Sequence, residues 1–139
     1  MTDFVGCKIV LVSGAELLTY LRDDRPGLPW AGCWDLPGGG REGDETPEAC
    51  VLREVEEEFG LRLPPARLEW RRAWPSMMDA ARLSFFYAGR ISAAEIASIR
   101  FGDEGQYWRM MPFAEFAGHE LGVPELQRRV TVALAAMGW

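Results

Sequence analysis

The chain has 139 residues, 48% hydrophobic and 26% charged, a balance that excludes a disordered or fibrous protein and suits one folded domain spanning residues 1–139. A net charge of -6 and a pI near 4.8 oppose unaided binding to a nucleic-acid polymer or an anionic membrane. The cysteines, Cys7, Cys33 and Cys50, have no CxxC spacing, there is no signal-peptide pattern, and no apolar run reaches ~18 residues, so a reduced, cytoplasmic protein is expected.

In chain order, "CKIVLVSGAELLTYLRDD" reads as a β-hairpin about a Ser13-Gly14-Ala15 turn. "RPGLPWAGCW" is a loop by its Pro and Gly content. Trp34 to Leu36 forms a short strand running into "PGGG", which reads as a turn. A helix is predicted from Pro47 to Phe59, with Thr46 as its cap, Pro47 at the first position and Glu48 in the first turn. Gly60 ends it as a left-handed glycine cap, with Leu61 as a hydrophobic latch.

"RLEWRRAW" and "ARLSFFYAGRI" then read as strands joined through "PSMMDA". "SAAEIASI" is a short helix, "QYWRMM" a strand, and "PFAEFAG" a helix begun by Pro112. "VPELQRRVTVALAAM" is an amphipathic helix with Leu126, Val130 and Leu134 on one side. Strands interleaved with helices and hairpins imply an α/β domain on a mixed sheet.

The central helix carries "REVEEEFG", four glutamates in five residues. At about 100° per residue from Glu54, Glu57 falls at about 300° and Glu58 at about 40°, so these three share one arc of roughly 100°. Leu52, Val55 and Phe59 fall between about 100° and 160°, so a core face opposite an acidic ridge is expected. Glu56, at about 200°, stands apart. Convergent hard oxygen ligands suit Mg²⁺, with Mn²⁺ an alternative; a plain solvated surface is the competing reading of such a charge run.

Spacing separates these readings. Gly39 is followed after five residues by Glu45, then after seven by Arg53-Glu54-Val55, Glu57-Glu58 and Gly60-Leu61. This resembles the Nudix box, G-x5-E-x7-R-E-U-x-E-E-x-G-U with U aliphatic, with every specified position filled and "WDLPGG" as its approach. The resemblance implies a Nudix-type α/β/α sandwich around a mixed β-sheet. It further implies hydrolysis of a nucleoside diphosphate linked to another moiety, with divalent cations. By motif position Glu54, Glu57 and Glu58 match the metal-binding carboxylates, and Arg53 matches the arginine that orients a catalytic glutamate. Gly39 and Glu45 match the loop glycine and first glutamate, expected beside the cofactor. "DEGQYW" resembles the E-G-Q of the family's oxidised-guanine triphosphatases, which makes Glu104 a fourth metal-site carboxylate or the general base.

Phosphoanhydride hydrolysis needs positioning and charge stabilisation more than covalent chemistry. A nucleoside triphosphate is the expected substrate, with nucleotide sugars, ADP-ribose and dinucleoside polyphosphates as alternatives. A Nudix-fold binding module without turnover is the reading from a different class. The chain contains no asparagine to match the one that reads the purine in the oxidised-guanine enzymes. Pro75 falls fourteen residues after Leu61, close to a marker of the ADP-ribose branch. Phe85, Phe86, Tyr87, Trp30, Trp34 and Trp108 are candidate base-stacking aromatics, with Trp30 expected to be exposed. Cys50 is expected to be a packed residue and His119 a surface or helix-terminal one. A homodimer is compatible with the resemblance.

Overall fold

The structure, a computed structural model, describes residues 3–139; Met1 and Thr2, part of the expected 1–139 domain and of the N-terminal segment read for a leader, lie outside them. Strands β1 (Phe4–Ser13) and β2 (Glu16–Leu21) form the expected hairpin. Its turn is tighter than the sequence suggested: Ser13 already pairs with Glu16, leaving Gly14, at φ +59°, and Ala15 to reverse the chain.

Beyond Val12 and Leu17 the hairpin strands part, and the chain from Trp34 to Gly40 threads between them. Its first piece, β3 (Trp34–Asp35), pairs with β2, and its second, β4 (Gly38–Gly40), pairs with β1. The glycine triplet is therefore a strand and not the expected turn. Only bare backbone fits there: a Cβ on Gly38 would lie 2.1 Å from the Cys7 carbonyl oxygen, and one on Gly6 would lie 2.6 Å from that of Gly39.

On the other edge of β1, β6 (Leu83–Arg90) runs parallel, and β5 (Trp70–Pro75) pairs antiparallel with β6. Strand β7 (Tyr107–Pro112) completes the mixed sheet along the whole of β2. Helix α1 (Pro47–Phe59) lies between β4 and β5 in the chain, and α2 (Ala93–Ala97) precedes β7. Helices α3 (Phe113–Gly118) and α4 (Pro124–Met137) follow it.

Alternation along β1 sends side chains into two cores. Cys7, Ile9 and Leu11 pack with Val51, Val55 and Phe59 of α1, whereas Val10 and Val12 pack with Phe116 of α3 and with α4. Leu126, Val130 and Leu134 of α4 are buried as its periodicity predicts, each contributing roughly 1.5–3 kcal/mol by leaving water. The result is the expected helix–sheet–helix sandwich. Among the described residues no helix is long and apolar enough to cross a membrane.

Candidate functional site

Helix α1 begins and ends as its sequence dictates. Thr46 Oγ1 accepts a hydrogen bond from Ala49 N at 3.2 Å, and Pro47 occupies the first turn. Gly60 adopts φ 67° and its N–H donates to Glu56 O.

The face that α1 buries differs from the expected one. Cys50, Val51, Val55, Glu58 and Phe59 are buried, while Leu52 is only half-buried. The core arc and the acidic ridge therefore overlap. The cause is β4, whose bare glycine backbone approaches the helix and offers an N–H where a side chain would otherwise pack. Gly38 N donates to Glu58 Oε1 at 2.9 Å, and Glu58 is only 8% exposed. Burial pushes its carboxyl up to about 8, despite Lys8 nearby and the Gly38 bond. Glu54 is half-buried against Gly39, where a Cβ would come within 2.6 Å of its carboxylate carbon. Burial raises its carboxyl too, outweighing Arg53.

Arg53 joins most of the remaining box residues. It donates to both oxygens of Glu45, to Glu54 Oε1 at 2.9 Å, to Glu57 Oε2 at 3.1 Å and to the Gly40 carbonyl at 2.9 Å. This hydrogen bonding holds the Glu45 carboxyl below its usual range. Glu56, as expected, stands outside the cluster and pairs with Arg62.

Glu104 comes from a distant loop that α1 itself anchors. The last carbonyls of a helix lack internal partners; here Phe59 O accepts from Arg100 N and Glu58 O accepts from Gly102 N, both at 2.9 Å. Glu42, Glu54, Glu57, Glu58, Gly102, Asp103 and Glu104 consequently line one cleft of about 320 Å³. Of the residues picked out by sequence, Glu54, Glu57, Glu58 and Glu104 meet there, Arg53 and Gly39 support Glu54, and Glu45 acts at one remove through Arg53.

The donor set, all carboxylates without sulfur or imidazole, fits a hard divalent cation. Two of its members carry burial-raised carboxyls, which a cation would favour in their ionised form. Among the described residues no three such side chains stand ready to hold an ion; Arg53 engages one oxygen each of Glu54 and Glu57.

A larger cavity, about 410 Å³, has Gly39 and Gly40 of β4 in its wall, the strand against which Glu54 and Glu58 of the acidic cleft pack. Trp30, Met77, Met78, Val5 and Val123 give it apolar sides, with Lys8, Arg22, Asp35 and Arg129 as its charged residues. Asp35 Oδ2 accepts from Lys8 Nζ at 3.1 Å, Tyr20 Oη at 3.0 Å and Arg22 Nη1 at 2.9 Å. Although burial opposes its ionisation, Lys8 and the Leu36 N–H hold the Asp35 carboxyl low, and Asp35 in turn raises Lys8 against the effect of burial.

Sequence reasoning did not select Lys8, Arg22 or Asp35. The available signal was Lys8 itself, the chain's single lysine, set in an apolar strand where a charge needs a partner. Of the candidate aromatics, Trp34, Phe85, Phe86 and Tyr87 are buried in the cores and Trp108 is half-buried. Trp30, 42% exposed, lines the cavity. Cys50 is packed with its Sγ 3.1 Å from that of Cys7, and His119 caps the end of α3.

The NUDIX domain profile matches residues 6–133. This chain belongs to the Nudix hydrolase family. Similar curated relatives include a protein named nucleoside triphosphatase NudI from Enterobacter sp. (strain 638), 46% identical over 59 residues. That match covers 42% of this Nudix chain and 40% of the relative. An RNA pyrophosphohydrolase from Acidiphilium cryptum is 63% identical over 56 residues, 40% of this chain and 33% of that protein. The matches thus span about two fifths or less of these relatives. A MutT protein from Methanosarcina mazei has a similar structure, with a TM-score of 0.75 at 19% identity, covering 97% of this chain and 96% of that one. The Nudix fold is also shared with a bifunctional NMN adenylyltransferase/ADP ribose pyrophosphatase from Francisella tularensis, complexed with AMP and a manganese ion. There the TM-score is 0.75 at 18% identity, covering 96% of this chain and 42% of that one.

Proposed function

We propose that this protein is a divalent-cation-dependent pyrophosphohydrolase acting on a nucleoside diphosphate linked to a further group, with nucleoside triphosphates as preferred substrates and Mg²⁺ as the working ion. The observation that carries this reading is the adjacency of two unlike cavities at the glycine strand β4. One is carboxylate-lined, and the other is apolar-walled and edged by cations. An apolar slot with a few directed polar groups suits a nucleobase, and a carboxylate cleft beside it suits the cation-bound phosphates.

Glu54, Glu57, Glu58 and Glu104 would hold the cations, which when bound offset phosphate charge and acidify an attacking water. Arg53 fixes the rotamers of Glu54 and Glu57 through its fork. Gly39 leaves room for the Glu54 carboxylate beside the strand. In the alternative to a ligand's role, Glu104, which lines the cleft, would take the proton of the attacking water. Residues 1–139 would act as one unit in this work.

Product release from a panel of nucleoside triphosphates, oxidised dGTP, ADP-ribose and dinucleoside polyphosphates, with Mg²⁺, tests the proposal. Turnover of a triphosphate ahead of the others is the expected result. Tight nucleotide binding without release from any substrate would instead support a non-catalytic module.

A further inference from the structure

Resting on the reading of the larger cavity as a base pocket, we infer that this cavity selects nucleobases whose edge presents keto oxygens, with Lys8 and Arg22 as the discriminating donors. The argument is a count of hydrogen-bonding capacity. Asp35, 3% exposed, is the one carboxylate on the cavity wall among the described residues. Its Oδ2 already accepts three bonds, and its Oδ1 is held by Leu36 N at 2.6 Å. It is poorly placed to receive an exocyclic amino group. The side-chain hydroxyls are engaged as acceptors too: Ser76 Oγ accepts from Met78 N and Ser84 Oγ from Arg129 Nη1.

Donors remain. An ammonium has three N–H groups and a guanidinium five. Lys8 uses two, on Asp35 and the Leu36 carbonyl. Arg22 uses Nε on the Pro29 carbonyl and Nη1 on Asp35 and also bonds Tyr20, fewer partners among the described residues than its five N–H groups. The pocket therefore has spare donors and few spare acceptors.

The occupant is a base and not another phosphate because the remaining walls are apolar. A phosphate dianion held there would lose its hydration against Trp30, Met77, Met78, Val5 and Val123, a heavy desolvation cost. Trp30 adds a second observation. Among the described residues it is the only non-glycine with positive φ, at 55°, and such backbone strain gathers at ligand clamps. An indole held out at a cavity edge offers a stacking face.

Two matched substrate pairs isolate the effect. ITP and ATP differ at the purine 6-position, keto against amino, and UTP and CTP differ likewise at the pyrimidine 4-position. Turnover with Mg²⁺ is expected to favour ITP over ATP and UTP over CTP by roughly tenfold in kcat/KM, the scale of a base-edge contact. Calorimetric binding of IMP against AMP and UMP against CMP, without metal, should show the same order.

Lys8→Met should bring both ratios toward unity. Arg22→Met, at a residue whose side chain is 22% exposed, gives a second variant should the first fail to fold. Equal treatment within both pairs, or inorganic phosphate displacing IMP and AMP alike, overturns the inference while leaving the hydrolase reading intact. A protein that prefers IMP yet hydrolyses nothing does the reverse.

Discussion

Arg53 grips Glu45 through two parallel hydrogen bonds, Nε to Oε2 at 2.6 Å and Nη2 to Oε1 at 3.0 Å. One partner stands in the loop before α1 and the other midway along the helix, so this fork ties the loop to the helix face that carries Glu54 and Glu57. A planar guanidinium can serve four groups at once, as here; an ammonium cannot. Arg53→Lys, though charge-conserving, is expected to lower kcat by roughly 10²-fold through misplacement of Glu54 and Glu57. Stability should fall by only about 1–2 kcal/mol, because these partners are partly solvated. Steady-state kinetics alongside urea denaturation checks both; wild-type kcat in this variant removes Arg53 from the orienting role.

Glu57 makes a different case. Its side chain is 56% exposed and its one ion pair among the described residues is with Arg53, so Glu57→Gln should change stability by less than about 1 kcal/mol. Turnover should nonetheless collapse. Thermal melts with and without Mg²⁺ give an independent readout: saturating ion raises the wild-type midpoint by mass action, and EDTA reverses it. In Glu57→Gln that rise should largely disappear. An undiminished rise means that Glu57 does not hold the ion.

For Glu58 the expectation concerns pH. An unfolded glutamate titrates near ~4.3, whereas burial holds Glu58 up at about 8 in the folded protein. Between these values the folded state keeps a proton that the unfolded state releases, so stability declines as pH rises. The contribution is complete below the lower value and gone above the upper. In EDTA, the wild-type thermal midpoint should therefore fall between pH 5 and pH 8 more steeply than that of Glu58→Gln. At pH 8 the variant should melt roughly 3 °C or more higher, since its amide oxygen still accepts from Gly38. Parallel curves would show that the group is not buried in solution as it is in this structure.

Two adjacent glycines should respond differently to alanine. Gly38 has φ +138° and its Cβ would strike the Cys7 backbone, so Gly38→Ala is expected to destabilise the fold by about 3 kcal/mol or more. At Gly39 the obstacle is the movable end of Glu54. Gly39→Ala should keep most of the stability and lose most of the activity, because Glu54 is pushed aside. Equal loss of stability in the two variants would contradict this division.

Glu104→Gln should lower kcat at least tenfold with an unchanged melting midpoint, because its loop is held by main-chain bonds from Arg100 and Gly102 to α1. Near-normal turnover would remove Glu104 from the chemistry.

Helix α1 was legible because its signals are local: Thr46, Pro47 and Gly60 mark its ends within its own sequence, and the box spacing names its carboxylates. The burial of Glu58 was not. A helical projection ranks faces by their apolar residues and cannot register that a glycine strand will lie alongside and supply an N–H. Strand β4 was illegible for a related reason, since Gly38, Gly39 and Gly40 carry no alternation and their pairing with β1 depends on residues thirty or more positions away. Glu104 was found through a short motif, although what brings it to the cleft is the pair of unsatisfied carbonyls at the end of α1. The larger cavity escaped notice because Lys8, Arg22, Asp35 and Arg129 come from separate parts of the chain and meet only after the sheet has formed.

The chain threaded between the parted hairpin strands has one more consequence. Asp35 faces the larger cavity and Gly38 bonds to Glu58 beside the acidic cleft, with only Leu36 and Pro37 between them. At roughly 3.3 Å per extended residue this interval is about 10 Å, fixed at one end by pairing with β2 and at the other by pairing with β1. The segment works as a ruler. Lengthening it by one residue would break one of the two pairings or shift one cavity against the other, so the offset between the two cavities is written into a four-residue stretch of backbone.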